Sequence, residues 1–294
     1  MKNTFYSKII LFGEYSMIFD STALMIPFRN FRACWQFGNA GNKSHRASTN
    51  NLRKFCRYLA DDELLSKTID CRGFETDLSR NLFLSSDIPS SYGLGSSGAL
   101  VAAVYARYAV HPTGDLLELK QLFGTMESCF HGSSSGIDPL QCYVGQPFKI
   151  SPEKGVELLG EQFLQRHIQI GLIDTHIKSK TAPLVAYFKQ QRQDSVFLQK
   201  FQNDYLPHVN ACIASIVSGN DDAFFTSLKE LSKGQMRFLR PMITDNTLSL
   251  FQICPDFRFG VKISGSGGGG FLLCFTDNKD KAIEVLKDFN VIWI

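Results

Sequence analysis

The chain has 294 residues, of which 44% are apolar and 20% charged, with 23 glycines and 10 prolines. Those proportions describe an ordinary globular protein and exclude a disordered, collagen-like or low-complexity chain. The formal charge of +3 is too small to argue for a nucleic-acid or membrane partner, although a small anionic ligand needs only a local cluster of charge.

The length suits two domains of ordinary size. Eight cysteines include no CxxC pair and no zinc-type spacing with histidine, and most lie in apolar segments. They read as reduced, buried thiols of a cytoplasmic protein. The apolar stretch Ile9–Phe12 is too short for a secretory signal, and no window reaches 18 uncharged apolar residues.

In chain order, SKIILFGEYSMIF predicts two short strands around a Gly-Glu turn, with ALMIPF as a further strand. Residues 38–51 read as a polar surface loop, followed by helical stretches near Leu52–Leu59 and Gly73–Leu82. GALVAAVYARYAV, residues 98–110, predicts a helix with a small-residue face that Ser96 or Ser97 can cap. A second helix spans about 115–129, where Asp115 and Glu118 have capping-box spacing. SPEKGVELLGEQ reads as a polar crossing, and IQIGLID as a new strand. Helices follow over about 182–193, 195–218, 221–239 and 244–254. Phe257, Phe259, Val261 and Ile263 then alternate with Arg258, Gly260 and Lys262, the pattern of a half-buried strand with its polar members outward. FLLCF is the next strand, Ala282, Val285, Leu286 and Phe289 form a helical stripe, and NVIWI closes the chain as a strand. Strands with helices on one face, in two units, predict an α+β protein.

Three glycine-rich loops carry the chemistry. PSSYGLGSSGAL, residues 89–100, runs directly into a helix, where unpaired N–H groups and the helix dipole favour an oxyanion such as a phosphate. A hydroxyl of Ser96 or Ser97 can ligate a magnesium ion between phosphates. The loop lacks the GK[ST] ending of a Walker A motif. SGSGGGG, residues 264–270, holds more glycine than a hairpin requires, at roughly 0.5–1 kcal/mol each inside regular structure. The surplus points to backbone that must pass close to a ligand or another loop. HGSSSGIDP, residues 131–139, follows the helix that carries Glu127. Phosphoryl transfer needs a metal ligand and a group that aligns or deprotonates the acceptor, and Glu127 and Asp138 are candidates for these roles. Lys8, inside an apolar strand, calls for a carboxylate partner. His131 reads as a structural histidine.

Together the three loops resemble the motifs of the GHMP kinases: KIILFGEYSMIFDS, PSSYGLGSSGALVAA and KISGSGGGGFLL stand in the family's order and spacing. Within that family MESCFHGSSSGIDP and DTHIKSKTAPLV are most similar to mevalonate kinases, with phosphomevalonate kinase or another small-molecule kinase as the alternative and a non-catalytic nucleotide-binding module behind them. The resemblance implies a two-domain α+β fold, with a ribosomal-protein-S5-like α/β domain over 1–165 and a ferredoxin-like α+β domain over 166–294. It implies ATP and mevalonate as substrates, Mg2+ as cofactor, cytoplasmic localisation, and no nucleic-acid or membrane partner. A homodimer is only the base-rate expectation.

Carried over by position, Asp138 would be the catalytic base and Lys8 its partner, helping to neutralise the phosphoryl group in flight. Ser97 and Glu127 would hold magnesium. Gly93, Leu94, Gly95, Ser96 and Ser97 would wrap the ATP phosphates, with Gly265, Gly267 and Gly268 closing the site. Glu14, Tyr15 and Thr181 would lie beside the acceptor, and Lys178 and Lys180 could hook its anionic end. The chain departs from the family pattern at Tyr6-Ser7 (usually Pro-Gly), at Tyr15 (usually His), at Ser91-Tyr92 (usually Gly-Ala) and at Ser134 (usually Pro).

Overall fold

The computed structural model describes residues 3–19, 21–39, 41–165 and 167–294. In chain order the elements are β1 (Thr4–Phe12), β2 (Ala23–Phe37), α1 (Lys43–Asp61), α2 (Glu63–Thr68), α3 (Cys71–Ser79), β3 (Leu82–Ser86), α4 (Ser96–Tyr108), α5 (Leu116–His131), α6 (Ile137–Val144), β4 (Phe148–Ser151) and β5 (Gly155–Leu158). They continue with β6 (Gln169–Asp174), α7 (Thr181–Gln191), α8 (Ser195–Asp204), α9 (Leu206–Ser218), α10 (Asp221–Phe238), β7 (Phe259–Ile263), β8 (Phe271–Thr276), α11 (Lys279–Val285) and β9 (Val291–Trp293). The fold is α+β, as expected.

The chain forms two compact units. The first comprises the described residues up to Lys8, Pro27–Pro89 and Leu94–Gln146; the second comprises Ile9–Ile26, Ser90–Gly93 and Pro147–Ile294. Strands β1 and β2 and the loop before α4 each run from one unit into the other.

In the first unit β3 pairs antiparallel with the later half of β2, setting Trp35 opposite Leu84. Helix α4 lies against this layer because its inner face is small: Gly98, Ala99, Ala102 and Ala103 are all buried. The Trp35 indole reaches it, donating a hydrogen bond to the Ala103 carbonyl at 3.2 Å. A Cβ on Gly98 would stand 2.8 Å from the Pro139 nitrogen, so only glycine allows α4 to meet the start of α6 this closely.

In the second unit the early part of β2 pairs with β4 and β4 with β5, all antiparallel. A separate antiparallel sheet has the order β7-β8-β6-β9, with Leu172 opposite both Leu273 and Ile292. Its helices enclose an aromatic core in which Phe188, Phe201, Tyr205 and Phe238 are buried, with the Phe201 ring in contact with each of the other three.

Several local expectations need correction. The polar stretch 38–51 is not all loop: Asn42 accepts hydrogen bonds from the Ser44 and His45 amides, and this cap starts α1 at Lys43. The helix expected to reach Leu82 stops at Ser79; Asn81 turns the chain at positive φ, and Leu82 opens β3. The crossing at 151–162 contains β5, which pairs with β4 in a hairpin joined by a Lys149–Glu157 ion pair at 2.8 Å. The expected helix 195–218 is two helices, because Pro207 can occupy only a first turn and forces a restart after Tyr205. The segment 244–254 forms a 3-10 helix, Asp245–Gln252. Helix α4 has no side-chain cap from either serine; Gly95, in the left-handed conformation, stands at that position.

Candidate active site

Lys8 and Asp138 meet in the first unit. Lys8 sits in β1 among apolar neighbours and is 2% exposed. Burial obliges its ammonium to find an anion, and Asp138 supplies one at 2.8 Å. The Asp138 side chain keeps 35% exposure, so the carboxylate is anchored on one side and open on the other. It stands in the first turn of α6, where the helix dipole favours negative charge. The Lys8 amide also donates to the Leu94 carbonyl at 3.0 Å, fastening β1 to the loop before α4. Gly95 lies against the lysine stem: a Cβ there would be 2.7 Å from Lys8 Cγ.

A second cluster surrounds Glu127, which is 4% exposed. Ser97 donates to one carboxylate oxygen at 2.8 Å and Ser134 to the other at 2.5 Å. His131 Nε2 is 3.0 Å from Ser97 Oγ; the serine hydrogen is committed to Glu127, so the histidine is the donor. Burial, reinforced by the charge of Asp138, pushes the Glu127 pKa above its ordinary value.

The second unit holds the other group of expected residues. Among residues 265–270, five glycines have positive φ, and backbone bonds pin the loop: Gly268 N–H to Met242 O at 2.6 Å and Gly270 N–H to Ile177 O at 2.7 Å. Gly270 lies so close to Tyr92 that a Cβ would be 2.9 Å from its carbonyl oxygen, while Gly265 faces Gly93. The SGSGGGG loop therefore packs against the Ser90–Gly93 part of the loop that continues into α4. Glu14 is bonded to Lys262, and the Tyr15 hydroxyl donates to the Ser266 carbonyl at 2.8 Å. Thr181 Oγ1 is 3.0 Å from Ser266 Oγ.

These loops coincide with what comparison finds. Residues 52–146 match the family described as GHMP kinases N terminal domain, and residues 228–290 match GHMP kinases C terminal, together just over half of the chain. The chain belongs to the GHMP kinase family. A curated relative from Methanocaldococcus jannaschii, named mevalonate kinase, is 25% identical, over 97% of this chain and 94% of its own. Two solved structures share the fold. The L. major mevalonate kinase in complex with R-mevalonate superposes with a TM-score of 0.67 at 17% identity, covering 98% of this chain and 90% of that one. The Streptococcus pneumoniae phosphomevalonate kinase gives 0.64 at 15% identity, covering 98% and 97%.

In this GHMP kinase the first unit gathers Lys8, Leu94–Ser97, Glu127 and Asp138, and the second gathers Glu14, Tyr15, Thr181 and Gly265–Gly268 around Ser266. The buried Glu127 carboxylate beside the Ser97 hydroxyl forms an all-oxygen donor set that fits a hard cation such as magnesium. Among the described residues no group of three His, Cys, Asp or Glu side chains is placed to hold a metal. A cation here would thus draw its remaining ligands from a bound phosphate and water.

Two expected residues of the GHMP kinase are less accessible than their position in the motif suggests. Tyr15 is 4% exposed, its ring 4.7 Å from that of Phe188, and burial next to Glu14 drives its pKa upward. The Glu14 side chain is 5% exposed. Its partner Lys262 was expected on the outward face of a half-buried strand, yet it is fully buried. Period-two alternation identifies a face without saying whether that face meets water, and at Lys262 it points into protein. Sequence reasoning noted Ser134 only as a departure from the family pattern and missed Ser179 and Ser266; these serines carry no charge and lie in stretches where serine reads as turn chemistry. Lys178 and Lys180 are exposed immediately before α7, as an anion hook requires.

Proposed function

We propose that this GHMP kinase is a mevalonate kinase, transferring the γ-phosphoryl group of ATP to the 5-hydroxyl of mevalonate in isoprenoid precursor synthesis. The observation that carries this reading is the Lys8–Asp138 pair: a carboxylate anchored by a buried ammonium yet open on one side suits a base awaiting a hydroxyl. The likeness to relatives named mevalonate kinase, extending over nearly the whole chain, supports the choice of acceptor.

In the reaction, Asp138 accepts the proton of the acceptor hydroxyl. The hydroxyl oxygen forms its bond to the γ-phosphorus as the bond from that phosphorus to the β,γ-bridging oxygen breaks, and ADP leaves. Lys8 orients Asp138 and offsets negative charge on the phosphoryl group in flight. The amides of Leu94–Ser97, at the start of α4, bind phosphate oxygens without needing a side-chain cap, and so the absence of one there is functional. In the second unit Gly93, Gly265, Gly267 and Gly268, all at positive φ, give the loop backbone a close approach that suits phosphate oxygens. Ser97 and Glu127 would hold Mg2+, which when bound neutralises phosphate charge. Glu14, Tyr15 and Thr181 form the acceptor side, where Glu14 and Tyr15 shape the wall and exposed Thr181 meets the ligand. Lys178 and Lys180 attract the carboxylate of mevalonate. Both substrates are small and water-soluble, consistent with cytoplasmic work.

Lysine point charges also suit a phosphate, which makes phosphomevalonate the second reading of the acceptor. A coupled ADP-release screen over mevalonate, phosphomevalonate, homoserine and galactose decides between them. Turnover with mevalonate alone is the expected result. Turnover with phosphomevalonate alone moves the assignment to that acceptor, and tight ATP binding with no turnover supports the binding-module alternative.

A further inference from the structure

Three hydroxyls beside the glycine loop form a chain whose hydrogens can be assigned by elimination. Ser179 Oγ donates to the Gly267 carbonyl at 2.6 Å, and a carbonyl can only accept. The one hydrogen of Ser179 is thereby used. At its 3.2 Å contact with Ser266 Oγ, Ser179 must accept, and Ser266 donates. The hydrogen of Ser266 is then also used, so at the 3.0 Å contact between Ser266 Oγ and Thr181 Oγ1 the donor is Thr181. The relay runs Thr181 to Ser266 to Ser179 to the Gly267 carbonyl, and its inner end cannot reverse.

The outer end is exposed. There Thr181 has lone pairs to offer and no hydrogen. The backbone beneath the relay is held as well: the Ser266 carbonyl accepts from buried Tyr15, and the Ser179 amide donates to the Ser91 carbonyl at 3.1 Å.

We infer that Ser266 is a specificity-determining positioning residue, which polarises Thr181 so that it accepts a hydrogen bond from a non-reacting hydroxyl of the acceptor and disfavours a group that can only accept. This rests on the kinase reading above. The ligand chemistry it selects is an alcohol carrying a second hydroxyl, a class that includes mevalonate with its tertiary hydroxyl. A carboxylate or phosphate oxygen gains nothing at this point and must be met elsewhere.

The test compares mevalonate with its 3-fluoro analogue, in which fluorine replaces the tertiary hydroxyl and can accept but not donate. Wild-type enzyme should prefer mevalonate in kcat/KM by at least about 30-fold. Ser266→Ala frees the Thr181 hydrogen, and the preference should fall to about 5-fold or less, with the KM for ATP within about twofold of wild type. Thr181→Ser should keep the preference and Thr181→Val should lose it, a pair that reads the same relay should Ser266→Ala fold poorly. An unchanged preference in Ser266→Ala, or equal preferences in the two Thr181 variants, overturns the inference. A wild type that releases ADP with none of the screened alcohols overturns the kinase reading and this inference with it, whereas an active wild type whose preference ignores Ser266 overturns the inference alone.

Discussion

Lys262 and Glu14 stand 248 residues apart in sequence and form a buried ion pair, the ammonium also donating to the Ile263 carbonyl at 2.6 Å and lying 5.3 Å from the Phe12 ring centroid. Together with the bond from Tyr15 to Ser266, the pair ties the Gly-Glu turn to the strand and loop that carry SGSGGGG. Two consecutive residues of the first motif are thus each bonded within the third.

Removing one member of such a pair leaves the other charge buried and unanswered, which costs about 3–5 kcal/mol. Lys262→Met should lose stability of that order in urea unfolding, and Glu14→Gln added to it should restore a large part. If the double variant is as unstable as the sum of its singles, the two groups are not energetically coupled.

Asp138→Asn keeps the size of the side chain but removes its basicity. The expected outcome is a loss of about 10²–10⁴-fold in kcat with the KM for ATP changed less than about threefold, because the proton is accepted only in the transition state. Steady-state kinetics with each substrate varied in turn measures both. Comparable losses in kcat and in ATP affinity would assign Asp138 to the nucleotide instead.

The raised pKa of Glu127 has a defined sign. Its folded-state pKa lies above the ordinary 4.5, so the native protein holds this proton more tightly than the unfolded chain. Ionised Glu127 therefore lowers stability at neutral pH, and the penalty fades as pH falls through the raised pKa towards 4.5. Glu127→Gln should unfold at a higher temperature than wild type at pH 7–8, with the gap narrowing by pH 5, while the variant demands more Mg2+ for turnover. A gap that widens on acidification contradicts the assignment.

Gly95 tests how the loop supports Lys8. At φ +78° any other residue is strained by about 1–2 kcal/mol, and a Cβ at this position also collides with the lysine stem. Gly93 has a similar φ of +72°, but a Cβ there meets nothing within 4 Å. Gly95→Ala should lower kcat about tenfold more than Gly93→Ala and should also lose more thermal stability, because only its Cβ meets Lys8. Equal effects on kcat would mean that contact with Lys8 contributes nothing to turnover.

Much of this was legible before folding. Helix α4 announced itself through GALVAAVYARYAV, and β6 and β8 through short apolar runs, because each must bury a continuous surface whatever its neighbours are. The need of Lys8 for a carboxylate followed from placing an ammonium among isoleucines. The break at Pro207, the Asn42 cap and the Lys149–Glu157 hairpin were harder to see. Each depends on one or two residues whose signal is drowned in a window average, and the hairpin takes its support from a cross-strand pair that linear order does not display.

Local chemistry in the sequence was enough to determine the three glycine loops, the α+β class and the family, since glycine-rich helix entries and apolar periodicity are properties of neighbouring residues. Tertiary structure alone decided that Lys262 faces Glu14 instead of water, that Ser134 and Ser97 share one buried carboxylate, and that the hydrogens of Ser179, Ser266 and Thr181 point one way. Burial and hydrogen-bond direction belong to the surroundings of a side chain, and those surroundings are assembled from segments up to 251 residues apart, as between Tyr15 and Ser266.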